Sequence, residues 1–104
     1  MINSNQVIWK YPLNDKRKNN ECFTLSLPFD SEILCVQIDD KTGEPCIWVL
    51  LYERNADIPQ DRTFEIFGTG QAIKNDMGVM RKYIGTFQEK VIWNFVWHLF
   101  ERLY

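Results

Sequence analysis

A β-hairpin pattern in the middle of the chain constrains the fold most. Residues 33–39 and 45–52 are two apolar runs of strand length, and the segment 40–43, Asp-Lys-Thr-Gly, separates them. This segment is typical of a type I turn that is closed by a glycine with positive φ. The sequence therefore predicts an antiparallel strand pair with Gly43 at the end of its turn.

The predicted turn also sets the register of the hairpin. We expect Val36 to lie opposite Trp48, and Cys35 to lie opposite Val49. Residues 47–51 are apolar at consecutive positions, which is typical of a strand buried on both faces. The second hairpin strand is therefore predicted to be central, with Trp48 in the core.

Alternation of apolar and polar residues indicates further strands. Residues 23–27, Phe-Thr-Leu-Ser-Leu, and residues 62–67, Arg-Thr-Phe-Glu-Ile-Phe, both alternate strictly. This period of two is typical of strands with one buried face. The strands expected along the chain are residues 6–13, 23–27, 33–39, 45–52, 62–67 and 82–88.

The C-terminal segment 91–103 fits two structures. Its apolar residues recur at helical i, i+4 spacing, whereas its many β-branched and aromatic residues favour a strand. In a strand, Trp97 and Leu99 would share one face, and His98 and Phe100 the other. We expect a strand, with a helix as the alternative.

Length and composition indicate one folded domain. The chain has 104 residues, of which 45% are hydrophobic and 14% aromatic, so it has enough apolar side chains for a single core. We expect residues 1–104 to form one all-β or β-rich domain. Its architecture is predicted to be a small antiparallel sandwich or half-open barrel of about seven strands.

Charge is distributed unevenly along the chain. Residues 1–20 hold four basic and one acidic side chains, residues 21–66 three and ten, and residues 67–104 five and three. A nonspecific nucleic-acid binder would show a dominant basic stripe instead. The acidic middle therefore disfavours that class of protein.

Cysteine usage and the N-terminus predict a location in the cytoplasm. The three cysteines, Cys22, Cys35 and Cys46, are odd in number and form no Cys-x-x-Cys pair, so we expect reduced, inert thiols and no zinc site. The N-terminus lacks the pattern of a signal peptide. No apolar run approaches the roughly 20 residues of a membrane helix, so no membrane association is expected.

Catalytic motifs are missing from the sequence. It contains one histidine, His98, and no Gly-x-Ser-x-Gly, His-Glu-x-x-His or phosphate-binding Walker loop. A single histidine among aromatic residues is more often structural than catalytic. We therefore expect a protein that is not an enzyme and that uses no cofactor.

Two similar segments are the best candidates for a binding site. Residues 68–71, Gly-Thr-Gly-Gln, and residues 85–88, Gly-Thr-Phe-Gln, lie at or near strand ends. Glycine permits close approach to the backbone, and threonine and glutamine supply hydrogen-bonding groups. Alternatively, the glycines serve only turns and a β-bulge. The candidate binding residues are Gly68, Thr69, Gly70, Gln71, Gly85, Thr86, Gln88, Trp97 and His98.

Several short sequence segments together resemble those of a family of small bacteriophage and prophage proteins. They include Ile-Trp-Lys-Tyr at 8–11, Phe-Gly-Thr-Gly at 67–70, Tyr-Ile-Gly-Thr-Phe-Gln at 83–88 and Val-Trp-His-Leu-Phe-Glu at 96–101. The resemblance extends from about residue 7 to 101. The family is a domain of unknown function, so the resemblance implies a phage origin and a β-rich fold but no activity.

The chain departs from this family pattern in two places. Its basic insertion at 14–20 is longer than usual, and residues 89–94 replace a short glycine-rich turn.

Two functions follow as expectations. The first is a phage accessory protein in the cytoplasm of the bacterial host, which inhibits a host defence or regulatory protein by binding it. The second is a small-molecule binder that sequesters a nucleotide defence signal. Four tryptophans and an aromatic C-terminus also make a homodimer reasonable.

Overall fold

The computed structural model describes residues 5–13, 22–75, 77–90 and 94–103. Apart from a short 3-10 helix, Glu53–Asn55, the regular structure in these ranges consists of β-strands. No helix in these ranges is long and apolar enough to cross a membrane. The strands are β1 Gln6–Pro12, β2 Phe23–Pro28, β3 Glu32–Ile38, β4 Pro45–Tyr52, β5 Pro59–Gly68, β6 Arg81–Glu89 and β7 Phe95–Arg102.

The strands form two antiparallel sheets. The smaller sheet has the order β1-β4-β3, and the larger sheet has the order β2-β5-β7-β6. The predicted β-rich antiparallel fold with about seven strands is confirmed, and the described strands do not close into a barrel. The helical alternative for the C-terminus is wrong over its described part, because β7 pairs with both β5 and β6. Residues 91–93 and the basic segment 14–20 lie outside the described residues.

The core lies between the two sheets and follows the alternation of the strands. In β4, Ile47, Val49 and Leu51 are buried, and Phe64 of β5 and Leu99 of β7 face them from the larger sheet. Each such side chain contributes about 1.5–3 kcal/mol by leaving water. One face of each sheet is therefore committed to the core, and the other face of each is available to solvent.

The loop between β3 and β4 is one residue longer than the three-residue loop, 41–43, that the predicted pairs Val36–Trp48 and Cys35–Val49 require. Gly43 has φ of +71°, as expected, and its N–H donates to the carbonyl of Asp39 (2.7 Å). Asp39 N–H in turn donates to the carbonyl of Glu44 (2.8 Å), so the loop comprises four residues. The Asp39 carboxylate accepts from the Lys41 amide (3.2 Å) and the Thr42 hydroxyl (3.4 Å) and so stabilises this wider turn.

The longer turn changes the register. Val36 lies opposite Ile47, and Cys35 lies opposite Trp48, so the predicted pairs of Val36 with Trp48 and Cys35 with Val49 are wrong. A one-residue change in register moves every side chain to the other face. Trp48 consequently points away from the core and is half-buried, although β4 is the central strand as predicted.

The outward position of Trp48 has a measurable consequence for stability. Phe64→Ala should lower the free energy of unfolding by about 3–5 kcal/mol, the usual range for removing a buried aromatic ring. Trp48→Ala should cost only about 1–2 kcal/mol, because the Trp48 ring lies on the outer side of the smaller sheet and is only partly buried. Urea unfolding of both variants measures this difference. Equal losses in the free energy of unfolding would contradict the outward position of Trp48.

Gly85 lies where the two sheets approach most closely. It follows a β-bulge in β6, and a Cβ atom built on it would lie 3.0 Å from Cγ1 of Val36 in β3. At Gly68 the nearest atom to such a Cβ is on the Trp97 ring, at 3.4 Å, which is an ordinary contact. Gly70 has φ of +88° and turns the chain after β5. Gly85 and Gly70 therefore have architectural roles, whereas Gly68 has room for a methyl group.

The two glycines in strands should respond differently to alanine. Gly85→Ala should destabilise the protein by about 1–3 kcal/mol, because the added methyl group is forced against Val36. Gly68→Ala, the matched control, should change stability by no more than about 0.5 kcal/mol. Thermal or urea unfolding measures both, and a harmless Gly85→Ala would contradict the close packing of β3 on β6.

The three cysteines differ in accessibility. All are free: Cys22 is exposed, Cys35 is half-buried and Cys46 is buried. Burial raises the pKa of the Cys46 thiol. Because the thiolate is the reactive form, iodoacetamide at neutral pH should label Cys22 first and Cys46 last, and Cys46 should react readily only in denaturant. Peptide mass spectrometry measures the order, and early labelling of Cys46 would contradict it.

Candidate functional site

His98 joins the two glycine-threonine segments. Its Nε2 lies 2.8 Å from the hydroxyl of Thr69, and its Nδ1 lies 2.9 Å from the hydroxyl of Thr86. Pairing of β7 with β5 and with β6 places both threonines beside the imidazole, because His98 lies opposite Phe67 and Thr86. A neutral imidazole donates from one nitrogen and accepts at the other. The histidine therefore orients one hydroxyl on each side of its strand.

A row of three aromatic rings continues this cluster. The Phe100 ring is in edge-to-face contact with Phe67 and with Tyr83, at centroid distances of 5.8 and 5.5 Å. The Tyr83 hydroxyl is hydrogen-bonded to that of Thr86 and so connects the rings to His98. We call the surface formed by Phe67, Tyr83, Thr86, His98 and Phe100 the outer aromatic face.

Strand alternation explains why these side chains share a surface. Ile66 and Leu99 are directly opposite each other and both lie in the core. Their chain neighbours Phe67, His98 and Phe100 must therefore point away from the smaller sheet. The larger sheet thus has large side chains on both faces: those of the inner face pack in the core, and those of the other face point outward.

Charged side chains border the outer aromatic face. Arg81 Nε lies 2.7 Å from the Glu65 carboxylate, and Arg102 Nε lies 3.8 Å from the same oxygen. The Arg81 guanidinium also lies 6.0 Å from the centre of the Phe67 ring. Two arginines thus share one carboxylate at this border.

The outer aromatic face is open to solvent. Tyr83 is 54% exposed, although Phe67, His98 and Phe100 are each partly buried. The connection between β5 and β6 adds further exposed apolar side chains. The Arg81 guanidinium donates a hydrogen bond to the carbonyl of Lys74 in this connection (3.3 Å). These exposed apolar residues are Ile73, Met77 and Met80.

A cleft lies elsewhere in the described residues, between Ser31, Arg62 and Glu101. It has a volume of about 640 Å³, and it contains Arg62 and Glu101, which pair through two contacts of 2.6 and 2.8 Å. Arg62 also donates to the carbonyl of Ser31. These contacts engage both groups within the protein, and breaking such a pair leaves a costly unpaired charge. The pair is therefore best explained as structural.

The predicted site residues divide between the two faces of the larger sheet. Thr69, Thr86 and His98 come together on the outer face, and Gln88 lies exposed on that face, opposite Val96. Trp97 does not join them, which corrects the expectation of one site containing both Trp97 and His98. Adjacent residues of a strand point to opposite faces.

Trp97 instead packs toward the core. Its ring lies against Gly68, and its indole N–H is buried with no hydrogen-bond partner among the described residues. The Gln71 side chain is also engaged locally, because its oxygen accepts from the Gly68 amide (3.0 Å). Gly68, Gly70 and Gln71 thus form the turn after β5 rather than a free cradle.

Sequence reasoning missed the aromatic row itself. Phe67, Tyr83 and Phe100 lie in three different strands, and only the pairing of those strands brings the rings together. The available signal was the presence of large apolar residues at consecutive positions of β5 and β7, which indicates that both faces of a strand carry rings.

Metal binding finds no support in the described parts of the chain. No three His, Cys, Asp or Glu side chains in those parts gather as potential ligands. Both nitrogens of His98 already contact threonine hydroxyls.

Comparison with known proteins identifies a family. A family model described as a domain of unknown function (DUF7352) matches residues 4–103. No curated protein and no solved structure matches the chain significantly. Because the family model spans nearly the whole sequence, the chain belongs to the DUF7352 family.

Proposed function

We propose that this is a phage-encoded accessory protein that acts by non-catalytic binding of a host protein, such as a defence or regulatory factor. The outer aromatic face is the proposed contact surface. The observation that carries the proposal is the row of rings from Phe67 through Phe100 to Tyr83, of which Tyr83 is more than half exposed. The phage origin rests on the sequence resemblance, and the binding role rests on this surface.

The chemistry of the surface suits a protein partner. Tyrosine, phenylalanine, methionine and arginine are enriched at protein interfaces, and this face combines all four types. Exposed Tyr83 and Met80 supply apolar area, and Arg81 supplies charge beside them. Contacts among Tyr83, Thr86 and His98 hold these side chains in place before binding, which lowers the entropy cost of association.

A nucleotide ligand has weaker support. Two threonines and a histidine beside aromatic rings are suitable groups for a base and a phosphate. However, His98 already engages the hydroxyls of Thr69 and Thr86, and Tyr83 beside them is 54% exposed. Small-molecule sites are usually clefts that bury most of the ligand. The geometry therefore favours a protein.

The described acidic residues of segment 21–66 do not gather into one surface that could bind a basic partner. Glu44 precedes β4 and Glu53 follows it, so their backbones lie at opposite ends of a strand of eight residues, about 26 Å long at the usual rise per residue. Asp39 pairs with Lys10, and Glu65 pairs with Arg81. These carboxylates are thus dispersed or paired within the protein, so they do not form one acidic contact surface.

The proposal is tested by capture and titration with matched variants. Tagged wild-type protein, Tyr83→Ala and Phe29→Ala are incubated with extracts of candidate bacterial hosts, and each captured protein is identified, purified and titrated by calorimetry. Phe29 is the control because it is 48% exposed but lies in the β2–β3 turn. Tyr83→Ala should weaken binding roughly tenfold or more, because it removes the most exposed ring of the row.

The control variant and the search for a bound nucleotide distinguish binding of a host protein from sequestration of a small molecule. Phe29→Ala should bind like wild type, and all three proteins should have similar melting temperatures. Equal binding by Tyr83→Ala would remove the outer aromatic face from the proposal. A nucleotide released by heat from the purified wild-type protein, with no captured protein, would favour sequestration of a small molecule instead.

A further inference from the structure

β1 is an edge strand of the smaller sheet, and among the described strands only β4 pairs with it. Asn5 accepts a hydrogen bond from Glu53, and Leu13 donates one to Pro45, so odd-numbered residues of this segment bond to β4. In antiparallel pairs these bonds alternate along the strand. The N–H groups of Gln6, Ile8 and Lys10 must therefore point to the other side, where no strand of the described residues pairs with them.

The other sheet edges have features that discourage pairing. β2 has only six residues and ends at Pro28, and β3 and β6 each contain a β-bulge. β3 and β6 also pack against each other across the sheets through Val36 and Gly85. Short strands, proline, bulges and cover are the usual means of blocking edges. By contrast, β1 pairs with β4 in an unbroken register.

The side chains of β1 expose apolar surface at this edge. Ile8 is 55% exposed on the outer side of the smaller sheet, and Trp9 is 40% exposed on its inner side. Lys10 is the only charged residue of the strand, and its ammonium group lies 2.7 Å from the Asp39 carboxylate. The hydrogen bond and charge of Asp39 also raise the pKa of Lys10. The lysine is thus engaged by its own hairpin.

We propose that a second copy of this chain pairs with β1 in antiparallel orientation, with Ile8 opposite Ile8 of the other copy, to form a continuous six-stranded sheet.

The sequence of β1 is self-complementary in this register. Gln6 of each copy lies opposite Lys10 of the other, and the edge-facing groups of residues 6, 8 and 10 then form three directly opposed pairs, each exchanging two hydrogen bonds. Ile8 packs on its counterpart, and Trp9 lies opposite Val7 of the other copy on the inner side. No like charges are opposed, and Pro12 lies beyond these three pairs.

The register makes a specific test possible. Ile8→Lys and Ile8→Glu each place like charges directly opposite each other at the two-fold axis, which disfavours pairing. A mixture of the two variants places lysine opposite glutamate and should restore the dimer. Leu34→Lys is the matched control, because Leu34 is 43% exposed on β3 of the same sheet.

Light scattering after size-exclusion chromatography, from micromolar to millimolar protein, measures the assembly. Wild type and Leu34→Lys should approach twice the chain mass of 12.4 kDa, each Ile8 variant alone should remain at the chain mass, and the mixture should return to twice that mass. A monomeric wild type, a dimeric Ile8→Lys or a monomeric mixture would each overturn the proposed pairing.

Hydrogen exchange of the wild-type protein provides a test that needs no substitution. The amides of Gln6, Ile8 and Lys10 should exchange more slowly as the protein concentration rises, because pairing protects them. Concentration-independent exchange of these three amides would contradict the pairing. Neither measurement involves the outer aromatic face, so a monomeric protein would leave the proposed binding of a host protein unaffected.

Discussion

The close contact between Val36 and Gly85 is the constraint on which the arrangement of the two sheets depends. At this contact β6 packs directly against β3, because Gly85 has no side chain to separate the two strands. The β-bulge just before Gly85 changes the pairing of β6 with β7 at this point. Beyond the bulge, Phe87 enters the core while Thr86 reaches His98 on the opposite side. The packing of the sheets and the assembly of the outer aromatic face thus depend on the same short segment.

Apolar rings on a solvent-facing sheet are less favourable than polar side chains unless they pack together or contact a partner. Here the rings of Phe67 and Tyr83 each make an edge-to-face contact with Phe100, and a histidine with hydroxyls on both sides holds one end of the row. Such edge-to-face pairs contribute about 0.5–1.5 kcal/mol each beyond their buried area. The cluster is therefore ordered within the isolated protein, and the exposed part of Tyr83 is presented in a defined position.

The two proposed interaction surfaces belong to different sheets. The outer aromatic face is on the larger sheet and points away from the smaller one, whereas the free edge of β1 is at the margin of the smaller sheet. Pairing through β1 would use backbone groups and the side chains of Ile8 and Trp9, and it would leave Tyr83 accessible. A dimer built in this way would present two copies of the aromatic face, which raises the effective affinity for a partner that has more than one binding site.

The sequence by itself determined the β-rich class, the seven strands to within a few residues at most ends, and the positive φ of Gly43, because these depend on local alternation and turn chemistry. It also indicated that Thr69, Thr86 and His98 were worth considering together. The hairpin register goes with a loop one residue longer than predicted, in which the Asp39 carboxylate accepts two hydrogen bonds, and in this register Trp48 lies on the outer side. Only the pairing of β5, β7 and β6 brought the three rings together and separated Trp97 from His98. Strand order depends on contacts between distant residues, and local patterns do not encode which strand lies beside which.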